Sequence, residues 1–381
     1  METGFWVPVG LLMFTYLGYG PLIWLLSKFH KRRPRPTDDG PLYAVTMVVA
    51  AYNEAEWVEA KIANCRALDY PPELLTLLFV TDGSDDGTPE LLARHEGIKV
   101  LHQAERAGKT AAVNRAMTHV HTPVTVFTDM NAMLNPQAVR LLVRHFADER
   151  VGCVAGEKRV LAGGGIGESL YWRYESTMKR WDAEFYSAVG AAGELYAIRT
   201  ALFHPPEPDA ILDDFLISMH VALAGYKIAY EKDAYAVETP SDGPTEELKR
   251  KIRICAGGFQ TLRRRPQLLN FFRRPRLAFQ FFWRRLARWL LAPLALAVVL
   301  PLNIVLAVQH GGVYQPLLAV QAFFYLAALL GWWSESRKTP FKTFVVPFYF
   351  LMMHYAALVG LYRHLFGKQP HAWTKAKRAS L

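Results

Sequence analysis

The chain is 381 residues long, 51% hydrophobic and 20% charged, with a formal net charge of +10 at pH 7. That length exceeds one typical domain, and the apolar residues are gathered in long runs, which excludes a single soluble globule. The cysteines Cys65, Cys153 and Cys255 are scattered, which excludes a disulfide framework and offers no metal-ligand spacing, as expected for a reducing compartment.

Phe5–Leu26 is a nearly continuous apolar run without a charge, about 33 Å long as a helix and so able to cross a bilayer core. It lacks a small-residue cleavage site, so a retained anchor is expected rather than a removed signal peptide. Lys28, Lys31, Arg32, Arg33 and Arg35 follow, and the positive-inside bias puts them and the domain behind them in the cytoplasm. Further apolar runs lie near 289–308, 314–333 and 344–366. The expected layout is therefore a membrane helix with a basic juxtamembrane segment (1–40), a cytoplasmic domain (41–262), a basic interfacial segment (263–288), three hydrophobic spans (289–366) and a basic tail (367–381). Much of the basic excess adjoins the spans, so membrane lipid is a better partner for it than nucleic acid. Four crossings starting outside would leave Lys368, Lys375, Lys377 and Arg378 outside, against the same bias; one interfacial C-terminal segment would remove the conflict.

In the domain, Val45–Ala51 reads as a buried strand ending in Ala51-Tyr52-Asn53-Glu54. A helix from Glu56 towards Leu68 leads to a strand from Leu74 to Val80, which runs into Thr81-Asp82-Gly83-Ser84-Asp85-Asp86-Gly87. Ligands of open α/β sheets sit beyond the carboxyl ends of strands, where Asp82 is the first polar side chain after Thr81. Taken alone, a plain Asp-Gly turn with a helix cap explains the stretch equally well. A helix (Pro89–Glu96), a short strand (Ile98–Leu101) and a helix opened by Gly108-Lys109-Thr110 come next. This is no phosphate loop, because the glycine that motif needs five residues before Gly108 is Gln103. Lys109 at a helix start still suits a phosphate as a point charge, or else is a solvated lysine. Val124–Thr128 is a strand ending at Asp129-Met130-Asn131, hard oxygen groups that suit Mg²⁺ or Mn²⁺ when a diphosphate supplies the other ligands. Strands and helices alternating in this way imply a mostly parallel, doubly wound sheet, with one cleft for all these groups.

Tyr171, Trp172, Tyr174, Trp181, Phe185 and Tyr186 follow close together, before Gly190 and Gly193. Such rings suit the faces of sugars, and equally suit helix packing against the sheet. Asp213 and Asp214 precede a helix, where acids favour the N-terminus and where one of them is equally suited to act as general base. Arg263 to Arg288 holds nine arginines and no acid, interleaved with aromatic residues; running straight into a span, it reads as an amphipathic segment in the interface, broken at Pro266 and Pro275.

In this order and spacing the motifs resemble the membrane-embedded branch of glycosyltransferase family 2, which includes cellulose, chitin, hyaluronan and poly-N-acetylglucosamine synthases. The resemblance runs through residues 45–290 and the span arrangement beyond. Ala51-Tyr52-Asn53-Glu54 is similar to the family's first strand-end motif, which contacts the nucleotide. Asp82 matches the acid that meets uracil, and Lys109 the family's Gly-Lys stretch. Asp129-Met130-Asn131 stands where the family has Asp-x-Asp, so Asn131 replaces a charged ligand by an amide. Leu212-Asp213-Asp214 is similar to Thr-Glu-Asp, which makes Asp214 the counterpart of the catalytic base. Gln-x-x-Arg-Trp aligns with Arg250-Lys251-Ile252-Arg253-Ile254. Arg253 is kept, while Arg250 and Ile254 replace the Gln and the stacking Trp, so processive synthesis is less secure than transfer. Ala372-Trp373-Thr374-Lys375 resembles a tail seen in the family.

The resemblance implies an α/β, GT-A-type, doubly wound nucleotide-sugar domain inserted between transmembrane α-helices, in the plasma membrane of a bacterium. It implies inverting transfer from a nucleotide sugar, expected to be a UDP-sugar, to a saccharide or lipid-linked acceptor in polysaccharide or glycan synthesis. Ala51, Tyr52, Glu54, Asp82, Lys109, Asp129 and Asn131 would hold the donor, the last two through Mg²⁺ or Mn²⁺. Asp214 would be the base, with Gly193, Glu194, Asp213, Arg250 and Arg253 on the acceptor and diphosphate side. Three other readings stay open behind transfer: addition of a single sugar to a lipid carrier, a nucleotide-sensing membrane protein without turnover, and a membrane-anchored nucleic-acid binder.

Overall fold

The computed structural model describes residues 1–29, 40–160, 166–239, 243–336 and 342–367. The basic stretch Lys31–Arg35 and the tail from Lys368 lie outside them. Helix α1 (Glu2–Phe29) opens the chain, with a π-helical turn at Phe14–Gly18. Strands and helices then alternate as β1 (Val45–Ala51), α2 (Val58–Arg66), β2 (Leu75–Asp82), α3 (Thr88–Ala93), β3 (Ile98–Gln103), α4 (Lys109–Met117) and β4 (Val124–Asp129). Every residue of β1 is buried, as a continuous apolar run requires when helices cover both faces of a sheet. Val45, Met47 and Val49 enter one core with Ile62 and Leu142, while Val48 and Ala50 enter the other with Val113 and Ile217, the two-residue period of a strand.

The domain continues with β5 (Met133–Leu134), α5 (Ala138–Val143), β6 (Val151–Val160), α6 (Ile166–Phe185), β7 (Leu195–Arg199), α7 (Asp213–Leu223), β8 (Lys227–Glu238) and α8 (Pro244–Arg264). The eight-stranded sheet has the order β3-β2-β1-β4-β7-β6-β8-β5. Its first four strands are parallel, so the loops after β1, β2 and β4 share one edge. β7 runs antiparallel to β4, with Leu195 opposite Thr128, which brings Gly193 and Glu194 to that same edge. The parallel sheet expected from the sequence is thus the first half, and the second half is mixed: β6 is antiparallel to β7 and parallel to β8. The later strands carry buried charges at Lys158, Glu231 and Glu238, which interrupt the apolar pattern by which a strand is recognised.

Beyond the domain come α9 (Pro275–Gln309), α10 (Tyr314–Ser336) and α11 (Lys342–Leu365). Among the described residues these and α1 are the helices long and apolar enough to cross a membrane. Residues 263–288, expected as a basic interfacial segment broken at Pro266 and Pro275, are divided between elements at those prolines. Arg263 and Arg264 close α8, Pro266–Leu269 is a 3₁₀ turn, and from Pro275 the chain is already in the 35-residue α9. Several of these arginines turn inward. Arg284 is ion-paired with Glu175 (3.0 Å) and Asp182 (2.7 Å), Arg288 with Glu175 (2.5 Å), and Arg285 donates to the Val189 carbonyl (2.7 Å). The acids that draw them lie on α6, remote in sequence, where composition alone cannot find them.

Candidate active site

The loops after β1 and β2 are fastened to each other. Asn53, in the left-handed region (φ 53°) that Asn tolerates better than most residues, exchanges hydrogen bonds with Asp85: Nδ2 to Oδ1 (2.7 Å) and Asp85 N to Asn53 Oδ1 (3.0 Å). Asp86 accepts the N–H groups of Ala55 and Thr88 (both 3.0 Å), and Glu54 N donates to Thr88 Oγ1 (3.0 Å). Asp85 and Asp86 are therefore clasps, and Asp82 is the acid of this stretch that meets the cleft. Its Oδ2 accepts the N–H groups of Ala107 (3.0 Å) and Gly108 (2.6 Å). Its Oδ1 is buried without a hydrogen bond, 3.7 Å from Arg115 Nη1. The Arg106 guanidinium lies 3.7 Å over the Tyr52 ring. Ala51, Tyr52, Asp82, Arg106, Gly108 and Lys109 line a cleft of ≈ 250 Å³.

Lys109 at the start of α4 donates from Nζ to Asp129 Oδ1 at 2.6 Å. Burial opposes its charge, but Asp129, Asp213 and Asp214 together raise it above the usual lysine range. The Asp129 carboxyl is raised in turn, first by burial, with Lys109 acting against the rise. Asn131 is buried in the turn that follows. Sequence reading missed the residue beneath this turn: Lys61 is fully buried and donates to Ala132 O (2.5 Å) and Thr128 Oγ1 (3.2 Å), and burial lowers its pKa. The available signal was a lysine on the apolar face that Val58, Ile62 and Cys65 define on α2.

Asp213 and Asp214 begin α7. Asp214 Oδ1 accepts the Phe215 N–H at 2.7 Å. Burial, and then the neighbouring Asp213, push the Asp214 carboxyl up to about 7, although Lys109 acts in the other direction. A Cβ at position 193 would stand 3.2 Å from Asp214 Oδ2 and 3.3 Å from Lys109 Nζ, so Gly193 keeps open the space between them. Arg253 shares a second cleft of ≈ 320 Å³ with Lys109, Thr110, Ala210, Ile211 and Asp213. Lys109, Asp129, Gly193, Asp213, Asp214 and Arg253 thus lie together. Glu194 and Arg250 are engaged to one side. Glu194 accepts Lys158 Nζ at 2.5 Å, which holds its carboxyl well below the usual range despite burial. Arg250 forks onto Glu247 (2.9 and 3.0 Å). Of the aromatic group, Tyr174, Trp181, Phe185 and Tyr186 pack α6 against Tyr19 and Ile23 of α1. Trp172 instead sits beside Lys158, Arg250 and Lys251.

A parallel half-sheet with this cleft across its carboxyl edge, continued by a mixed half, defines a GT-A-type α/β domain. Residues 46–203 match the model of glycosyl transferase family 2, and this part of the chain is a glycosyltransferase domain of that family. The poly-beta-1,6-N-acetyl-D-glucosamine synthase of Staphylococcus aureus (strain COL) is 24% identical over 235 residues, 58% of this chain and 56% of that protein. Its namesake in Staphylococcus epidermidis is 22% identical over 232 residues, with the same coverage. The chain thus spans little more than half the length of these curated relatives. The solved mannosyltransferase PcManGT from Pyrobaculum calidifontis, in complex with GDP-Man and Mn2+, shares the fold over 95% of this chain and 99% of its own, with a TM-score of 0.73 and 22% identity.

Proposed function

We propose that the domain transfers a sugar from a nucleotide-sugar donor, with inversion, to a hydroxyl of a saccharide or lipid-linked acceptor. The observation that carries this reading is Asp214, a half-buried carboxyl at the start of α7, raised to about 7 beside the charge of Lys109. A general base works best with a pKa near the working pH. Asp214 takes the proton of the acceptor hydroxyl as that oxygen attacks the anomeric carbon, and the nucleoside diphosphate leaves from the opposite face. Lys109 and Arg253 offset the charge that develops on the diphosphate. The buried, unbonded Asp82 Oδ1 suits a ring N–H, which uracil and guanine both offer, and the Tyr52–Arg106 pair supplies a flat, cationic neighbour for the base. Asp129 and Asn131 offer a carboxylate and an amide oxygen, which fit Mg²⁺ or Mn²⁺ if the diphosphate and water complete the coordination. A bound cation would neutralise diphosphate charge.

Two features favour addition of a single sugar to a lipid-linked acceptor. Ile254 stands where processive relatives have a stacking Trp, and the helix that carries it, α8, packs directly on α11. The test is a screen of radiolabelled UDP- and GDP-sugars on the full chain in detergent, with lipid-linked and saccharide acceptors and sizing of the products. Short products from one donor class are expected. Nucleotide binding with no transfer from any donor would replace this reading by the nucleotide-sensing one.

A further inference from the structure

We propose that α11 does not cross the membrane but lies in its domain-side interface, docked on α8, with lipid headgroups against its open face. The far end of the bundle is marked by a cluster of Phe5, Val299, Leu306 and Tyr314, from α1, α9 and α10. Among the described residues this cluster includes none from α11. The domain side of the bundle is marked by buried charge. Trp283 packs on Phe14 at 4.4 Å, the next residue, Arg284, pairs with Glu175 and Asp182, and Asp182 accepts the Tyr19 hydroxyl at 2.5 Å. These contacts tie the Phe14 to Tyr19 level of α1 to α6 of the domain.

α11 touches this level, or the domain itself, along its whole length. Gly331, which lies about 26 Å along α10 from Tyr314, is covered by the Phe344 carbonyl, leaving no room for a Cβ. His354 Nε2 meets Tyr16 Oη at 2.8 Å. A Cβ on Gly360 would stand 3.0 Å from both Ala256 N and Ile252 O of α8, and His364 stacks on Phe259 of α8 with centroids 6.4 Å apart. A helix crossing between positions 344 and 364 would travel about 30 Å and carry one of these groups to the Phe5 end. Tyr355, Tyr362 and Phe366 are exposed and fall on one helical face, the aromatic character of a membrane interface. This placement also removes the conflict with the positive-inside bias that four crossings would create. It is independent of the transfer reading.

Cysteine labelling of the full chain in sealed vesicles tests it, since Cys65, Cys153 and Cys255 are all buried. Gly367→Cys should react with a membrane-impermeant maleimide from the same face as Glu73→Cys in the domain, and from the face opposite to Gly311→Cys between α9 and α10. Labelling of position 367 together with position 311 overturns the proposal. Spin labels at Tyr355 and Tyr362 give a second measurement. An interfacial helix holds both at equal depth, whereas a crossing one separates them by about 10 Å, and that separation also overturns it.

Discussion

Asp214 is a carboxyl whose charge the fold opposes, and its chemistry and its stability should therefore move in opposite directions. Asp214→Asn should lower kcat by about 10²–10⁴-fold and leave the nucleotide Kd nearly unchanged, as calorimetry can verify. In the parent, kcat/KM should rise with pH through about 7, because the unprotonated carboxyl is the active form. For stability the sign reverses. A carboxyl raised in the fold binds its proton more tightly folded than unfolded, so its penalty is absent below about pH 4 and grows until the folded pKa is passed. The Asn variant should accordingly melt above the parent, by more at about pH 8 than at about pH 5. At Asp129 the loss is of a ligand: Asp129→Ala should weaken Mn²⁺-dependent nucleotide binding by at least about 10–100-fold, the cost of losing even an outer partner of a metal. An unchanged Mn²⁺ titration would place the cation elsewhere. Ile254 offers apolar area without a flat face, so Ile254→Trp should lengthen the products seen by gel filtration.

The segment between β7 and α7 shows how elements set the position of such residues. Gln260 on α8 donates to Asp209 O and accepts the Ile211 N–H (both 3.0 Å), pairing with the chain much as a neighbouring strand would. Thr110 on α4 donates to Ala210 O from the other side (3.0 Å), and Arg264 and Arg265 pair with Asp209 and Glu207 (2.5 and 2.8 Å). This strap leads straight into Asp213 and Asp214, so Gln260 is a positioning residue for the base. Losing hydrogen bonds worth about 1 kcal/mol each predicts that Gln260→Ala lowers kcat roughly tenfold with little change in donor Kd. Steady-state kinetics beside direct donor binding would separate the two, and an equal loss in both would mean that the strap holds the donor instead.

Over the whole molecule, the domain is tied to its membrane helices by buried charge as well as by apolar packing. Arg284 lies between Glu175 and Asp182 at the junction of α6, α9 and α1. Arg284→Met should cost about 3–5 kcal/mol, because Asp182 stays buried without its cation while Glu175 keeps only Arg288; thermal unfolding in detergent measures this. The sequence by itself determined what is local. Run lengths gave the apolar helices, the alternation of the apolar strands β1, β2 and β4 with helices gave the parallel half-sheet, strand ends gave Asp82 and Asp129, and a helix start gave the acid pair at 213–214. Each of these follows from a repeat or a chain position that neighbouring residues already define. Only the tertiary structure decided which acids of the Asp82 stretch are clasps, what Lys61 supports, where the arginines of 263–288 point, and that Gly193 separates Asp214 from Lys109. It also decided the surroundings of α11, whose composition suits a crossing and an interfacial helix alike. These features arise from contacts between residues far apart in the chain, and burial, which fixes their charges and their roles, exists only once those contacts have formed.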